Sequence, residues 1–174
     1  MPLSATDILL AFDTLAADLA ADGERAEMLV AGGAALVLLY HARDTTKDVD
    51  AYFLTPNASA VRRAAGRVAD QLSLPEDWLN DSAKGYFEGL SEGETLYDSP
   101  PLRVRSVSTS QLLAMKLAAW RDAIDRSDAQ LLLQRLSGSR SEIWKALELH
   151  VPTQYRDKAS YAFEDLWEST HGTS

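Results

Sequence analysis

The sequence predicts an α+β protein: a small mixed β-sheet with helices packed on it, followed by a helical C-terminal half. Two observations support this fold class. Short apolar runs that could pair as strands lie within residues 1–108, and residues 109–174 show mainly helical periodicity. Few strands combined with a separate run of helices favours α+β over an alternating α/β fold. We therefore expect a core formed by residues 1–108, with residues 109–174 as a helical region packed on that core.

The first half of the chain is expected to mix helices with strands. Apolar residues at spacings of three and four predict an amphipathic helix over residues 5–21. Asn57 is placed to cap a second long helix over residues 58–72. The elements predicted between these two helices are a strand at 27–31, a Leu-rich helix at 34–42 and a strand at 49–54.

Residues 76–100 carry apolar islands among Gly, Asp and Glu, and they predict loop with irregular strand. The run 102–107 alternates apolar and basic residues, with Arg103 and Arg105 on one face. Such alternation is typical of a strand with one buried face. This strand is the last that the sequence predicts.

Three Ser-x-x-Gln or Ser-x-x-Glu patterns predict helix starts in the second half of the chain. The patterns begin at Ser108, Ser127 and Ser139. The first helix should run from Thr109 to about Ala123, and a break near Asp125 should precede the second. The remaining helices are predicted to end near Leu136, near His150 and, for the last one after Pro152, close to the C-terminus.

Composition excludes several classes of function. The chain has 17 Lys and Arg against 26 Asp and Glu, a net charge of −9, which opposes general DNA binding. The absence of cysteine excludes disulfides, thiolate metal sites and a cysteine nucleophile. No apolar run approaches the roughly 20 residues that span a bilayer, and the first residues lack the basic start of a signal peptide. We expect a cytoplasmic protein that does not bind membranes.

Gly32 and Gly33 follow an apolar strand candidate and precede a helix. A glycine pair at this position allows a tight turn and a close approach of backbone N–H groups to an anion. The alternative is an ordinary tight turn after a strand. By itself the pair does not choose between the two interpretations.

Asp48 and Asp50 lie two residues apart in the next strand candidate, so both carboxylates should project from one face. Two like charges side by side repel, which favours a cation between them over a solvated strand edge. Mg²⁺ is usually held by one or two carboxylates together with substrate phosphates. A glycine cradle beside this acidic pair therefore suggests nucleotide chemistry.

In this order the Gly32-Gly33 pair, the Asp48-Val49-Asp50 run and the later helix around Lys116 resemble the nucleotidyltransferase superfamily. The resemblance covers roughly residues 25–136. Within the superfamily the chain is most similar to small prokaryotic enzymes related to abortive-infection toxins of toxin–antitoxin systems.

The resemblance implies a role for each residue that matches the family pattern. It makes Asp48 and Asp50 the Mg²⁺ ligands. It also places Gly32, Gly33 and Thr46 at the phosphates of a nucleoside triphosphate (NTP). From the later helix, Lys116 would neutralise phosphate charge, with Asp125 or Asp128 as an accessory polar group. The catalytic set implied in this way is Asp48, Asp50, Lys116 and Asp128.

Other interpretations of the later residues stay open. Lys116 could be a lysine whose stem packs on apolar surface, and Asp128 could be an acid favoured by the helix dipole. Asn80, Asp81 and Lys84 could line the site or belong to a solvated loop.

Many superfamily members carry a third carboxylate on a later strand, where this chain has Arg103 and Arg105. Asp81 or Asp98 could supply the third carboxylate from a loop, or the site could use only two. The resemblance implies a Mg²⁺-dependent enzyme that moves a nucleoside monophosphate from an NTP to a hydroxyl of a protein, a small molecule or an RNA such as tRNA. A cognate toxin or antitoxin would be its partner. The alternative is a catalytically weak protein of the same fold that acts as a binding or antitoxin-like partner.

Overall fold

The computed structural model describes residues 2–172, which form two units. The first unit extends to Lys84 and includes Glu92–Ser106, and the second unit comprises Gly85–Ser91 and the chain from Val107 onward. The strands are β1 (Leu3–Ser4), β2 (Ala26–Ala31), β3 (Thr45–Thr46), β4 (Val49–Phe53), β5 (Leu79–Asn80), β6 (Thr95–Ser99) and β7 (Leu102–Ser106). The helices are α1 (Ala5–Ala21), α2 (Gly32–Ala35), α3 (Ala58–Leu72), α4 (Thr109–Ala119), α5 (Ala123–Gln134), α6 (Arg140–Glu148) and α7 (Arg156–His171).

A five-stranded mixed sheet in the order β5-β4-β2-β7-β6 forms the first unit. The central strand β2 is antiparallel to β4 and parallel to β7, while β6 pairs antiparallel with β7 at one edge. The short strands β1 and β3 pair separately as a two-stranded ribbon. The prediction of an α+β fold with a small mixed sheet and a helical C-terminal half is confirmed.

The two faces of the sheet differ in chemistry. One face is apolar and includes Val30, Ala51 and Val104, all of them buried. The helices α1 and α3 pack against each other, and α1 also contacts β6 and β7. The fully buried indole of Trp78 donates a hydrogen bond from Nε1 to the Ala65 carbonyl of α3, at 2.9 Å. Removal of this apolar surface from water is the main stabilising term of such a core.

The opposite face of the sheet carries polar side chains. Direct strand pairs place Leu29 beside both Tyr52 and Arg105, and Ala31 beside Asp50. Because paired residues project to the same side, Tyr52, Arg105 and Asp50 share one face. We call this the polar face of the sheet.

The helix predicted at 34–42 begins earlier and changes type. After Gly32 the chain makes one α-helical turn as α2, and then continues as a π-helix over Leu36–Tyr40. His41 ends it in the left-handed region with φ of 50°. π-Helical turns are rare and are found frequently at functional sites.

The segment 76–100 contains more regular structure than the sequence predicted, because β6 pairs with β7 through a bulge between Thr95 and Tyr97. The polar composition of β6 gave no strand signal in the sequence. An edge strand pairs on one side only and part of each face meets water, so it needs no apolar alternation.

In the second unit, α4 contacts α5, α6 and α7. Ser108 caps α4 by accepting a hydrogen bond from Gln111 N–H at 3.1 Å, as predicted, but the Gln111 side chain bonds Ser91 instead of closing the capping box. Ser139 caps α6 as predicted. No helix among residues 2–172 has the length and apolarity that a membrane crossing requires.

The break between α4 and α5 lies earlier than the sequence predicted. The first helix ends at Ala119, and Trp120 follows in the left-handed region with φ of 34°. The next helix is capped by Asp122, whose Oδ1 accepts hydrogen bonds from the N–H groups of Ile124 and Asp125. The predicted start at Ser127 is therefore wrong, because Asp122 already provides a cap five residues upstream and Ser127 lies inside the helix.

Candidate active site

The pairing of β2 with β4 brings the glycine pair to the acidic pair. Ala31, the last residue of β2, is the register partner of Asp50. Gly32 follows directly, so the turn into α2 passes beside the Asp50 side chain. The two motifs, separate in sequence, form one local structure within the first unit.

Gly32 is required at this turn for two reasons. Its φ of 67° lies in the left-handed region, which side chains disfavour by about 1–2 kcal/mol. A Cβ at this position would also lie 2.7 Å from Asp50 Oδ2, well inside van der Waals contact. The missing side chain therefore leaves the space that the Asp50 carboxylate occupies.

Gly33 provides a second close approach. A Cβ there would collide with the hydroxyl of Thr46 and would lie 2.8 Å from Nη2 of Arg43. Thr46 is buried, and its hydroxyl donates a hydrogen bond to the Asp48 carbonyl at 3.3 Å. Thr46 therefore connects the glycine pair to the start of the acidic run, with the Arg43 guanidinium beside it.

Asp48 is half-buried directly before β4. Burial raises the pKa of Asp48, Asp77 raises it further, and a hydrogen bond from Asn80 together with the charge of Lys47 opposes the shift. Asn80 Nδ2 lies 3.4 Å from Asp48 Oδ2, and Asn80 is also the register partner of Asp50. Asn80 thus lies beside both aspartates and orients one of them.

This donor set fits Mg²⁺ of the kind shared with a phosphate substrate. One or two carboxylates are the usual protein contribution to such a site. Here Asp48 is partly desolvated, and Asp50 lies against the glycine turn. Within residues 2–172 no cluster of three or more His, Asp or Glu side chains could hold a metal ion. Asp81 instead pairs with Arg62 at 2.6 Å, and Asp98 pairs with Arg103 at 3.6 Å.

The predicted residues of the later helix come together in the second unit. Lys116 is buried, and its Nζ lies 3.1 Å from Asp125 Oδ1 and 2.9 Å from Asp128 Oδ2. Asp125 Oδ2 accepts two more hydrogen bonds, from the N–H and Nε of Arg121. Lys116 is therefore held by two carboxylates within its own unit.

Opposing effects act on Asp125. Burial by itself would raise the pKa of Asp125, but the hydrogen bonds from Arg121 and the charge and hydrogen bond of Lys116 outweigh it, so the pKa lies below its usual value. The ionised carboxylate is the form that this network stabilises.

The structure thus places Gly32, Gly33, Thr46, Asp48 and Asp50 together in the first unit. Lys116 and Asp128 form an ion pair in the second unit. Arg43 lies beside Gly33, although no motif predicted a role for it. The only indication in the sequence is that Arg43 begins the polar run that ends in the acidic pair.

A cleft of about 870 Å³ lies elsewhere in the first unit. Its lining includes Ala26, the first residue of β2, and Arg103, the second residue of β7. Gly32, in contrast, follows the last residue of β2. The lining includes neither Asp48 nor Asp50. The cleft and the glycine–aspartate site are therefore at opposite ends of the sheet.

Comparison with known protein families gave a match. A family model described as nucleotidyltransferase of unknown function (DUF6036) matches residues 7–137, which include the glycine pair, the acidic pair and Lys116. A search of curated proteins and a search of solved structures each returned no significant match. Because the family model covers most of the chain, this protein belongs to that family of nucleotidyltransferases.

Proposed function

We propose that this protein transfers a nucleoside monophosphate from an NTP to an acceptor hydroxyl, with Mg²⁺ held by Asp48 and Asp50. The observation that carries the proposal is the joint placement of the two motifs. The Asp50 carboxylate fills the space that a side chain at Gly32 would take, and Asn80 orients the half-buried Asp48 beside it.

In the proposed reaction the acceptor oxygen attacks the α-phosphorus, the bond to the bridging oxygen breaks, and pyrophosphate leaves while the hydroxyl proton passes to a base. Mg²⁺, when bound, would compensate the charge of the phosphates and acidify the acceptor hydroxyl. The protein's own contribution is to hold two carboxylates in place before substrate arrives. Gly32, Asn80 and Thr46 make the contacts that do so.

The chemical class of the acceptor is also proposed. A net charge of −9 makes an RNA such as tRNA a less favourable acceptor than a protein or a small molecule, because phosphate contacts depend on Lys and Arg. We also propose a role in a toxin–antitoxin pair, supported by the order of the glycine pair, acidic pair and lysine helix. Growth arrest on induced expression, absent in Asp48→Asn with Asp50→Asn, would support that role.

The central experiment measures NTP binding by calorimetry with and without Mg²⁺. We expect Mg²⁺-dependent binding by the wild type and its loss in the Asp48→Asn with Asp50→Asn variant. The matched control is Asp70→Asn with Glu76→Gln, which removes two negative charges from exposed positions of the same unit. Equal Mg²⁺-dependent NTP binding by the wild type and by the variant with both Asp48→Asn and Asp50→Asn would overturn the metal assignment.

A second candidate function is that of a binding partner with weak or no catalysis. It is favoured by the arginines on β7, where many members of the superfamily carry a carboxylate. Co-purification of one stoichiometric protein, without metal-dependent NTP binding, would support this alternative. Release of pyrophosphate on addition of NTP and acceptor would exclude it.

A further inference from the structure

We infer that Arg105 is an anion-binding residue of the polar face and contacts the phosphate chain of the nucleotide. The identity of the anion rests on the proposed function. The anion-binding property rests on the position and bonding of Arg105 itself.

The position follows from strand register. Leu29 of β2 is the register partner of Arg105 on β7 and of Tyr52 on β4. Tyr52 and Asp50 are two residues apart on β4, so Arg105 and Asp50 project from the same face. Their strands are separated by two strand spacings, about 10 Å in all, which long side chains can partly bridge.

The bonding of the guanidinium is incomplete. Its Nη1 lies 2.5 Å from Glu92 Oε2, but its buried Nε has no hydrogen-bond partner among residues 2–172. A buried donor without a partner is costly and is rare in folded proteins. Arginine binds anions best through a fork of two parallel N–H groups, and Glu92 contacts Nη1, which lies outside the fork that Nε forms with Nη2.

An anion with two available oxygens would complete this fork once a rotation of the partly exposed Arg105 side chain brings its buried Nε to the surface. A polyphosphate chain presents such pairs of oxygens, and phosphate is a preferred partner of arginine. Glu92, whose side chain is 54% exposed, would stay at Nη1 and place a negative charge beside the bound phosphate. Removal of the Glu92 charge should therefore strengthen binding.

Arg103 is the natural comparison residue. It lies on the same strand and the same face, two residues away, and is paired with the exposed Asp98. Its side chain lines the cleft at the other end of the sheet. Replacement of Arg103 removes the same charge and also tests whether the anion binds in that cleft.

The test is binding of inorganic tripolyphosphate to the full chain by calorimetry, in EDTA so that no metal takes part. Arg105→Gln should weaken binding about tenfold or more, the scale of a charge-assisted bidentate contact. The affinity of Arg105→Lys should lie between those of Arg105→Gln and the wild type, since lysine keeps the charge and lacks the fork of two N–H groups. Glu92→Gln should tighten binding by up to about fivefold, the scale of an exposed ion pair.

Arg103→Gln and Glu94→Gln are the controls and should leave affinity within about twofold of wild type after the small general charge effect. Thermal denaturation of each variant verifies that the fold is intact. The inference is overturned if wild type does not bind tripolyphosphate, if Arg105→Gln binds as well as wild type, or if Arg103→Gln loses as much affinity. The metal-free assay separates this result from the Mg²⁺-dependent test of Asp48 and Asp50, so either can fail alone.

Discussion

The carboxylate of Asp50 occupies the place where a side chain at Gly32 would lie, with Oδ2 at 2.7 Å from that Cβ position. The contact joins the last residues of one strand to the strand beside it. It explains why a glycine and an aspartate 18 positions apart depend on each other: the Asp50 carboxylate fits only because residue 32 has no side chain. The candidate site is built on this relationship.

Gly32→Ala should therefore disturb the site in addition to straining the backbone. We expect a loss of stability of about 1–3 kcal/mol and loss of Mg²⁺-dependent NTP binding, because the new methyl group displaces Asp50. Gly23→Ala is the matched control, since Gly23 has φ of 69° and nothing within 4 Å of its Cβ position. The backbone cost should be similar in both, so binding that fell equally in the two variants would contradict the contact.

Gly33→Ala should act through Thr46 and Arg43, since Gly33 is helical and its φ is unstrained. We expect destabilisation of about 1–3 kcal/mol from the collision, measured by chemical denaturation. The second change Thr46→Ala should restore part of the loss, because it removes the hydroxyl that the methyl group meets. Gly66→Ala in α3, with open space around its Cβ position, should stabilise by about 0.5–1 kcal/mol.

Lys116→Met should destabilise the protein by about 3–5 kcal/mol, because Asp125 and Asp128 would lose the cation that they share in a buried setting. Lys145→Met on the exposed side of α6 should change stability by about 0.5 kcal/mol or less. A double-mutant cycle with Asp128→Asn measures the coupling directly. Similar effects of the two lysine substitutions would show that the buried network contributes nothing.

The lowered pKa of Asp125 predicts a stability that depends on acidity. The folded state favours the ionised carboxylate, so its contribution is complete above the ordinary value of 3.8 and is lost as pH falls through the lowered pKa. Urea denaturation between about pH 6 and pH 2.5 should show wild type losing stability more steeply than Asp125→Asn below about pH 4. Parallel curves for the two proteins would remove this explanation.

The raised pKa of Asp48 predicts the opposite dependence of stability on pH. Burial favours the protonated form, so its contribution to stability is present below 3.8 and is lost as pH rises through the raised pKa. In metal-free buffer at neutral pH, Asp48→Asn should have a higher Tm than wild type, whereas Asp70→Asn on an exposed helix face should not. Added Mg²⁺ with NTP should raise the Tm of wild type and leave Asp48→Asn unchanged.

Local patterns were sufficient for several elements. The helix 58–72 agrees with the prediction at both ends, because Asn57 caps it and its apolar spacing is regular. The strand after Pro101 also agrees, since its alternation of apolar and basic residues directly reflects one buried face and one more accessible, polar face. In both cases the signal lies within the element itself.

Other features depend on partners that are distant in the chain. The strand β6 exists because β7 lies beside it, and its own residues carry no apolar alternation. The start of α5 depends on the left-handed turn at Trp120, which makes Asp122 the cap. Neither feature follows from the periodicity of the residues involved.

By itself the sequence determined the fold class, most helices, and the positions of the glycine pair and the acidic pair, because spacing along a chain reports which side of an element is apolar. Only the tertiary structure decided that Asp50 lies over Gly32, that Arg43 reaches Gly33, and that the free Nε of Arg105 is on the polar face. Strand register sets these relationships, and it arises from pairing between residues far apart in sequence. The physical reason is that a sequence motif specifies which side chains are present, whereas the distance between those side chains is set by the folded sheet.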